Sequence, residues 1–206
     1  MNAVIRVAHL DDHPALRLGL EAILTPEPDL QPVGSAADEE EVWRLLRRTR
    51  PSVVVLDVHH PGRDGLSLTM QIKRALHPPA VVLYSAPTPG PLIVAAAVAG
   101  ADAVVGKSSS ARALLEAIRL VAREPRTGPP VSPRMRTEAA AQLTPSDHAI
   151  FAMRLAGDPA LDIAATLALP INDVMARIAA IVATLAPQEL VAAPSIQLIN
   201  SSTQVS

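Results

Sequence analysis

Residues 52–57 read Ser-Val-Val-Val-Leu-Asp: four consecutive apolar positions, three of them β-branched, followed at once by an acid. A strand with one wet face alternates apolar and polar residues, so an unbroken run suits a strand covered on both faces. Strands of that kind belong to parallel sheets sandwiched between helices. The flanking sequence agrees, with further strand-like runs at residues 4–10, 31–34, 80–84 and 103–105. Between and after them lie segments with helical character, at 14–24, 38–50, 66–75, 91–99 and 111–122. Five strand–helix units in alternation predict an α/β, doubly wound (βα)5 domain over residues 1–122.

Beyond residue 122 the texture changes. Residues 124–133 hold four of the chain's 20 prolines, a stretch that predicts a semi-rigid, Pro-rich linker over 123–142. Residues 143–186 then read as a small all-α domain. Thr144 and Pro145 suit the N-cap and first position of a helix, and Gly157-Asp158-Pro159 breaks it. A short helix follows at 160–167, and after Leu169-Pro170 a longer one at 171–185. Val174, Ile178, Ile181 and Leu185 give that last helix an apolar stripe of three-and-four spacing. The end, 187–206, closes on Asn-Ser-Ser-Thr-Gln-Val-Ser and is expected to be disordered.

Composition narrows the function classes. With 49% hydrophobic and 18% charged residues the chain is an ordered globular protein, long enough for one moderate core or two small ones. It has no cysteine, which excludes disulfides and thiolate metal sites. No run is long and apolar enough to span a bilayer, and the start carries no signal-peptide pattern, so a cytoplasmic setting is expected. A net charge of -2 argues against a strongly basic nucleic-acid binder. Trp43, Tyr84 and Phe151 are the only aromatic residues, so stacking on bases is not available.

Ligands in open α/β sheets bind at the carboxyl ends of the strands, and the polar residues collect there. Asp11 and Asp12 end the first strand, Asp57 the third, Ser85 the fourth and Lys107 the fifth. Three acids at adjoining strand ends repel one another unless a divalent cation sits among them, and hard oxygen ligands suit Mg2+. Asp57 could then attack a phosphorus atom, with Lys107 as a second cation and the Ser85 hydroxyl on a phosphoryl oxygen.

Several motifs in order carry a resemblance: Leu10-Asp11-Asp12-His13-Pro14, Val54-Val55-Leu56-Asp57, Pro61-Gly62-Arg63-Asp64-Gly65, Tyr84-Ser85-Ala86, and Gly100-Ala101 followed by Lys107. Over residues 3–122 the chain resembles the receiver domains of two-component response regulators, which have a flavodoxin-like fold. The resemblance implies Asp57 as phosphoacceptor, Mg2+ held by Asp12, Asp57 and the His59 carbonyl with Asp11 assisting, and a histidine kinase as donor. It implies no enzyme active site beyond this self-phosphorylation. One position departs: receivers of this kind usually carry Tyr or Phe three residues before the lysine, where this chain has Val104. His9, His13, His59 and His60 cluster near the acids, but their spacing fits no zinc pattern.

Leu143-Thr144-Pro145, Gly157 and the stretch 162–169 look like the LuxR-type helix-turn-helix of the NarL/FixJ class, which places a recognition helix at 171–185. The chemistry of that helix points the other way. Residues 143–185 carry Asp147, Asp158, Asp162 and Asp173 against only Arg154 and Arg177. Phosphate contacts need cations, and recognition helices read bases with Arg, Lys, Asn or Gln. Two functions stay open. The protein is a transcriptional regulator that contacts promoter DNA through Arg177, Asn172, Arg154, Thr166 and the linker arginines Arg123, Arg126, Arg134 and Arg136. Alternatively, it works without direct DNA binding as a partner in a heterodimer. The helix at 91–99, apolar nearly all round, predicts a homo- or heterodimer or partner interface, the alternative being a minor patch of small alanines.

Overall fold

The computed structural model describes residues 4–60, 63–124 and 128–187; the expected disorder of 188–206 and the role given to Arg126 lie outside them. Five strands form one parallel sheet: β1 (Ile5–Leu10), β2 (Leu30–Ala36), β3 (Val53–Asp57), β6 (Ala80–Ser85) and β7 (Ala103–Gly106). Their spatial order is β2-β1-β3-β6-β7, with β3 paired in parallel to β1 on one side and β6 on the other. Two short strands, β4 (His59–His60) and β5 (Arg63–Asp64), pair antiparallel in the loop after β3. Every residue of β3 is buried, as a run apolar on both faces requires.

The pleat of the strands decides which helices lie where. Val7, Val53, Val55 and Val82 face one layer, packed on Leu20 and Leu24 of α1 (Pro14–Leu24) and on Leu114, Ile118 and Val121 of α5 (Ala111–Arg123). Ala8, Leu10, Val54, Leu56 and Leu83 face the other, against α2 (Glu39–Thr49), α3 (Gly65–Ile72) and α4 (Gly90–Ala99). The Asp38 carboxylate caps α2 by accepting from the Glu41 amide at 2.8 Å, and Glu39, Glu40 and Glu41 put negative charge in its first turn.

Two expectations are corrected in the carboxy-terminal half. The linker at 123–142 is not wholly irregular: residues Pro133–Ala140 form a helix, α6. Ser132 caps it by accepting from the Met135 amide, and Pro133 stands at its first position, where a missing N–H costs nothing. The prolines thus start a helix as well as preventing one upstream. The second correction concerns α4. Leu92, Val94 to Val98 and Ala99 are all buried in a single chain, so the helix is covered from within. Its cover is α9 (Ile171–Leu185), with α6 and α7 (His148–Leu155) beside it. Ile150, Phe151, Ile163, Val174 and Ile178 of the small all-α part therefore pack in one core with Leu56, Leu83 and Ala96.

A single 3-10 turn, Pro145–Asp147, leads into α7, and α8 (Ala160–Leu167) ends on Ala168, whose φ of 52 puts it in the left-handed region. The turn between α8 and α9 gives the two helices a break of 116°. Among the described residues no single helix is long and apolar enough to cross a membrane.

Candidate functional site

The strand ends bring together the residues the sequence suggested. Asp11 follows β1, is 1% exposed, and its Oδ1 accepts from the His13 amide at 2.8 Å. Asp57 ends β3, and its Oδ1 accepts from the His59 amide at 3.2 Å. Lys107, just past β7, reaches across with Nζ 3.0 Å from Asp11 Oδ2 and 2.8 Å from Asp57 Oδ2. Its own backbone amide is fixed by donating to the Ser85 carbonyl at 2.7 Å. Burial alone would lower the Lys107 pKa, but the pairs with Asp57 and then Asp11 outweigh it and raise the group above the ordinary lysine value. The ammonium is therefore a fixed positive charge at neutral pH.

One ligand atom from each of Asp11, Asp12, His13 and Asp57 lies within 4.8 Å of the others. Three carboxylates face one ammonium there, leaving an excess of negative charge and a set of hard oxygen donors. Such a set fits a divalent cation of the Mg2+ class. Sequence reasoning gave His13 little weight, yet its Nδ1 stands 2.8 Å from Asp12 Oδ1 and 3.2 Å from Asp11 Oδ1. The signal was adjacency alone, and only the turn between β1 and α1 decides that the ring folds back onto both acids. His9 sits in β1 and is buried; loss of hydration is the main cause that lowers its pKa and favours the neutral ring.

Gly65, at the start of α3, explains part of the site's shape. A Cβ there would lie 2.7 Å from the Asp57 carbonyl oxygen and 2.8 Å from Val58 Cα, so only glycine lets α3 approach the end of β3. Asp64 caps that helix through the Leu66 amide at 3.0 Å, and burial raises its carboxyl above the usual range. Ser85 is fully buried, with its hydroxyl donating to the Pro87 carbonyl at 3.0 Å, so it is turned toward its own loop. Val104 is half-buried and packs against the core that holds α4 and α9.

The residues suggested for DNA contact are not brought into one surface of positive charge. Arg154 is turned inward: Nε donates to the Val98 carbonyl of α4 at 2.8 Å and Nη1 to the Asp158 carbonyl at 2.9 Å. Burial lowers its pKa below the ordinary arginine value, with Asp158 and Asp102 opposing the shift. Arg177 donates to the Ser146 carbonyl at 3.1 Å and lies 3.7 Å from Asp147. Asn172 and Thr166 are exposed, as are Arg123, Arg134 and Arg136, and Arg134 pairs with Glu138 at 2.7 Å.

The family model of the response regulator receiver domain matches residues 7–119. The chain is 34% identical over 116 residues to the transcriptional regulatory protein LiaR of Bacillus subtilis (strain 168), a match covering 56% of this chain and 55% of LiaR. It thus spans about half the length of the curated relatives it matches. Among solved structures, a two-component response regulator of the LuxR family from Aurantimonas sp. SI85-9A1 is 29% identical with a TM-score of 0.57, covering 68% of this chain and 97% of that one. The RcsB response regulator of Salmonella typhimurium, studied for its DNA interaction, has a TM-score of 0.57 over 90% of this chain and 92% of its own. At 20% identity that likeness is one of fold, and it extends through the carboxy-terminal helices.

Proposed function

The chain belongs to the family defined by the response regulator receiver domain, of the NarL/FixJ type, and from that premise we propose that it is the phosphorylatable regulator of a two-component phosphorelay. The observation that carries the reading is Lys107 Nζ held 2.8 Å from Asp57 and 3.0 Å from Asp11 above a cluster of three carboxylates. Asp57 is the phosphoacceptor. A carboxylate oxygen of Asp57 attacks the phosphorus of a phosphohistidine on a histidine kinase; the P–N bond breaks and its electron pair stays on the imidazole. Lys107 then leaves Asp57 as a carboxylate partner and pairs with the new phosphoryl oxygens, while still held by Asp11. Asp11, Asp12, Asp57 and the backbone at His59 would hold Mg2+, which when bound neutralises charge on the transferred group. Ser85 contributes a phosphoryl contact only if its hydroxyl leaves the Pro87 carbonyl. The setting that fits these partners is the cytoplasm.

A test needs only the full chain, Mg2+ and a small acyl phosphate. The wild type is expected to show a phosphate-dependent mobility shift that Asp57→Asn lacks. A matching shift in both proteins would remove Asp57 from its role.

The output of this regulator is transcription, through the helix-turn-helix at residues 143–186, acting as a homo- or heterodimer on promoter DNA. A second reading is favoured by a specific observation: Arg154 is spent on Val98 and Asp158, leaving Arg177 as the only other cation of α7 to α9. In that reading the module acts through a protein partner without touching DNA. Affinity that rests on phosphate contacts falls steeply with salt. Gel-shift titrations against promoter fragments at low and physiological salt separate the two. The first reading expects a salt-sensitive shift that strengthens on phosphorylation, and no shift in either state favours the second.

A further inference from the structure

The two ends of the sheet differ in charge. At the carboxyl ends of the strands lie Asp11, Asp12, Asp57 and Asp64, and Glu39, Glu40 and Glu41 open α2 on that side. At the amino ends stand exposed arginines: Arg6 at the start of β1, Arg47, Arg48 and Arg50 at the close of α2, and Arg74 just past α3. Backbone contacts hold these positions along one edge. The Ser52 amide donates to the Arg6 carbonyl at 2.8 Å, two residues after Arg50, and the Ser52 carbonyl accepts from Ala80 at the start of β6 at 2.9 Å. Lys73, beside Arg74, reaches the Pro79 carbonyl at 3.1 Å, which brings the end of α3 to the same edge.

None of these guanidinium groups has an ion-pair or hydrogen-bond partner among the described residues. Acids at this end are already engaged, Glu27 and Asp29 by Arg119 and Asp102 by Lys73. The dipole of α2 accounts for Arg47 and Arg48 in its last turn, but not for the other three. Arg50 moreover holds a left-handed backbone, φ 44, where glycine is favoured. The net charge of -2 thus conceals a cationic edge built of arginine alone.

The make-up of the edge selects its partner. Protein interfaces are depleted of charge at their centre, whereas nucleic-acid interfaces consist largely of arginine and lysine on phosphate oxygens. The planar guanidinium fork suits a phosphate. Single strands are held by aromatic stacking, and the Trp43 indole is turned to Glu39 at the other end of α2. Beyond Arg74 a cleft separates the edge from the starts of α8 and α9, with Asp162 in its lining, so the recognition helix does not extend this surface.

We propose that the amino-end edge of the receiver sheet is a contact surface for duplex DNA. Arg6, Arg47, Arg48, Arg50 and Arg74 hold the phosphate backbone without reading its sequence. This goes beyond the helix-turn-helix reading, because the receiver half supplies the phosphate contacts that α9 lacks.

The test uses the unphosphorylated full chain and a fluorescent duplex of random sequence, followed by anisotropy. Affinity is expected to fall roughly fortyfold or more between about 50 and 200 mM salt, as at least three phosphate contacts require. Replacing Arg6, Arg50 and Arg74 together by glutamine should weaken binding at least roughly tenfold and lower the slope of log affinity against log salt by roughly 2 to 3. All three side chains are exposed, so the unfolding midpoint should not move. The matching lysine variant should keep both affinity and slope, and Arg177→Gln should bind as the wild type does. Three results would each overturn the proposal: no salt-sensitive binding, a glutamine variant that binds like the wild type, or poly-glutamate held more tightly than duplex. The last would assign the edge to an acidic protein. Binding lost in Arg177→Gln but kept in the glutamine variant would move the contact to α9 and leave the transcription reading standing. Random duplex bound through the edge, with no gain from promoter sequence or phosphorylation, would sustain the edge while that reading fails.

Discussion

Ala168 holds a left-handed backbone, φ 52, at the carboxyl end of α8, where its amide and that of Leu169 satisfy the last carbonyls of the helix. An L-residue there costs roughly 1–2 kcal/mol, part of which glycine's larger unfolded-state entropy gives back. Ala168→Gly is therefore expected to stabilise the protein by about 0.5–1 kcal/mol, read as a higher denaturant midpoint at unchanged slope. A lower midpoint would show that the turn draws on the methyl group. No sequence pattern marks this position, since alanine is an ordinary helix residue and only the backbone shows the strain. The reverse holds for the acids. Asp11 and Asp57 were legible because each directly follows an apolar strand run, with Asp12 next to Asp11, and position at a strand end is a local property. The inward turn of Arg154 was not legible, because its acceptor is a backbone carbonyl 56 residues away in the chain.

Helix α4 shows how far an element can be read alone. Its sequence gives no polar face, and that correctly predicts a covered helix. What covers it cannot be read from the same residues. A second copy, a partner and the chain's own carboxy-terminal helices all present apolar stripes of similar spacing. The structure assigns the cover to α9, α6 and α7, which makes Ala95 a core residue rather than an interface residue. Ala95→Glu is expected to destabilise the protein by about 3–5 kcal/mol, since it places an unpaired charge between two helices. Chemical denaturation followed by circular dichroism measures it. Unchanged stability with an altered oligomeric state would return α4 to the role of an interface between copies. Val104 supplies no ring to swing; it packs on the core that α4 and α9 share.

One core runs through both halves of the molecule, from Leu56 and Leu83 in the sheet to Val174, Ile178 and Ile181 in α9. Parts that share a core unfold together. Denaturation followed by Trp43 fluorescence, which reports on α2, and by far-UV circular dichroism, which reports on all helices, is expected to give coincident single transitions. Two separated midpoints would show that the halves are independent. The sequence by itself determined the five strand–helix units, the acids and the lysine at the strand ends, and the helices of the carboxy-terminal half. All of these follow from local periodicity, turn residues and short-range order. The tertiary structure alone decided that Lys107 bridges Asp11 and Asp57, that the proline-rich segment starts a helix, that Arg154 faces inward, and that the two halves close on α4 around a cleft. The reason is physical: each depends on which apolar surfaces pair across long sequence separations. Burial is non-directional, so local pattern fixes how much surface must be covered but not by what.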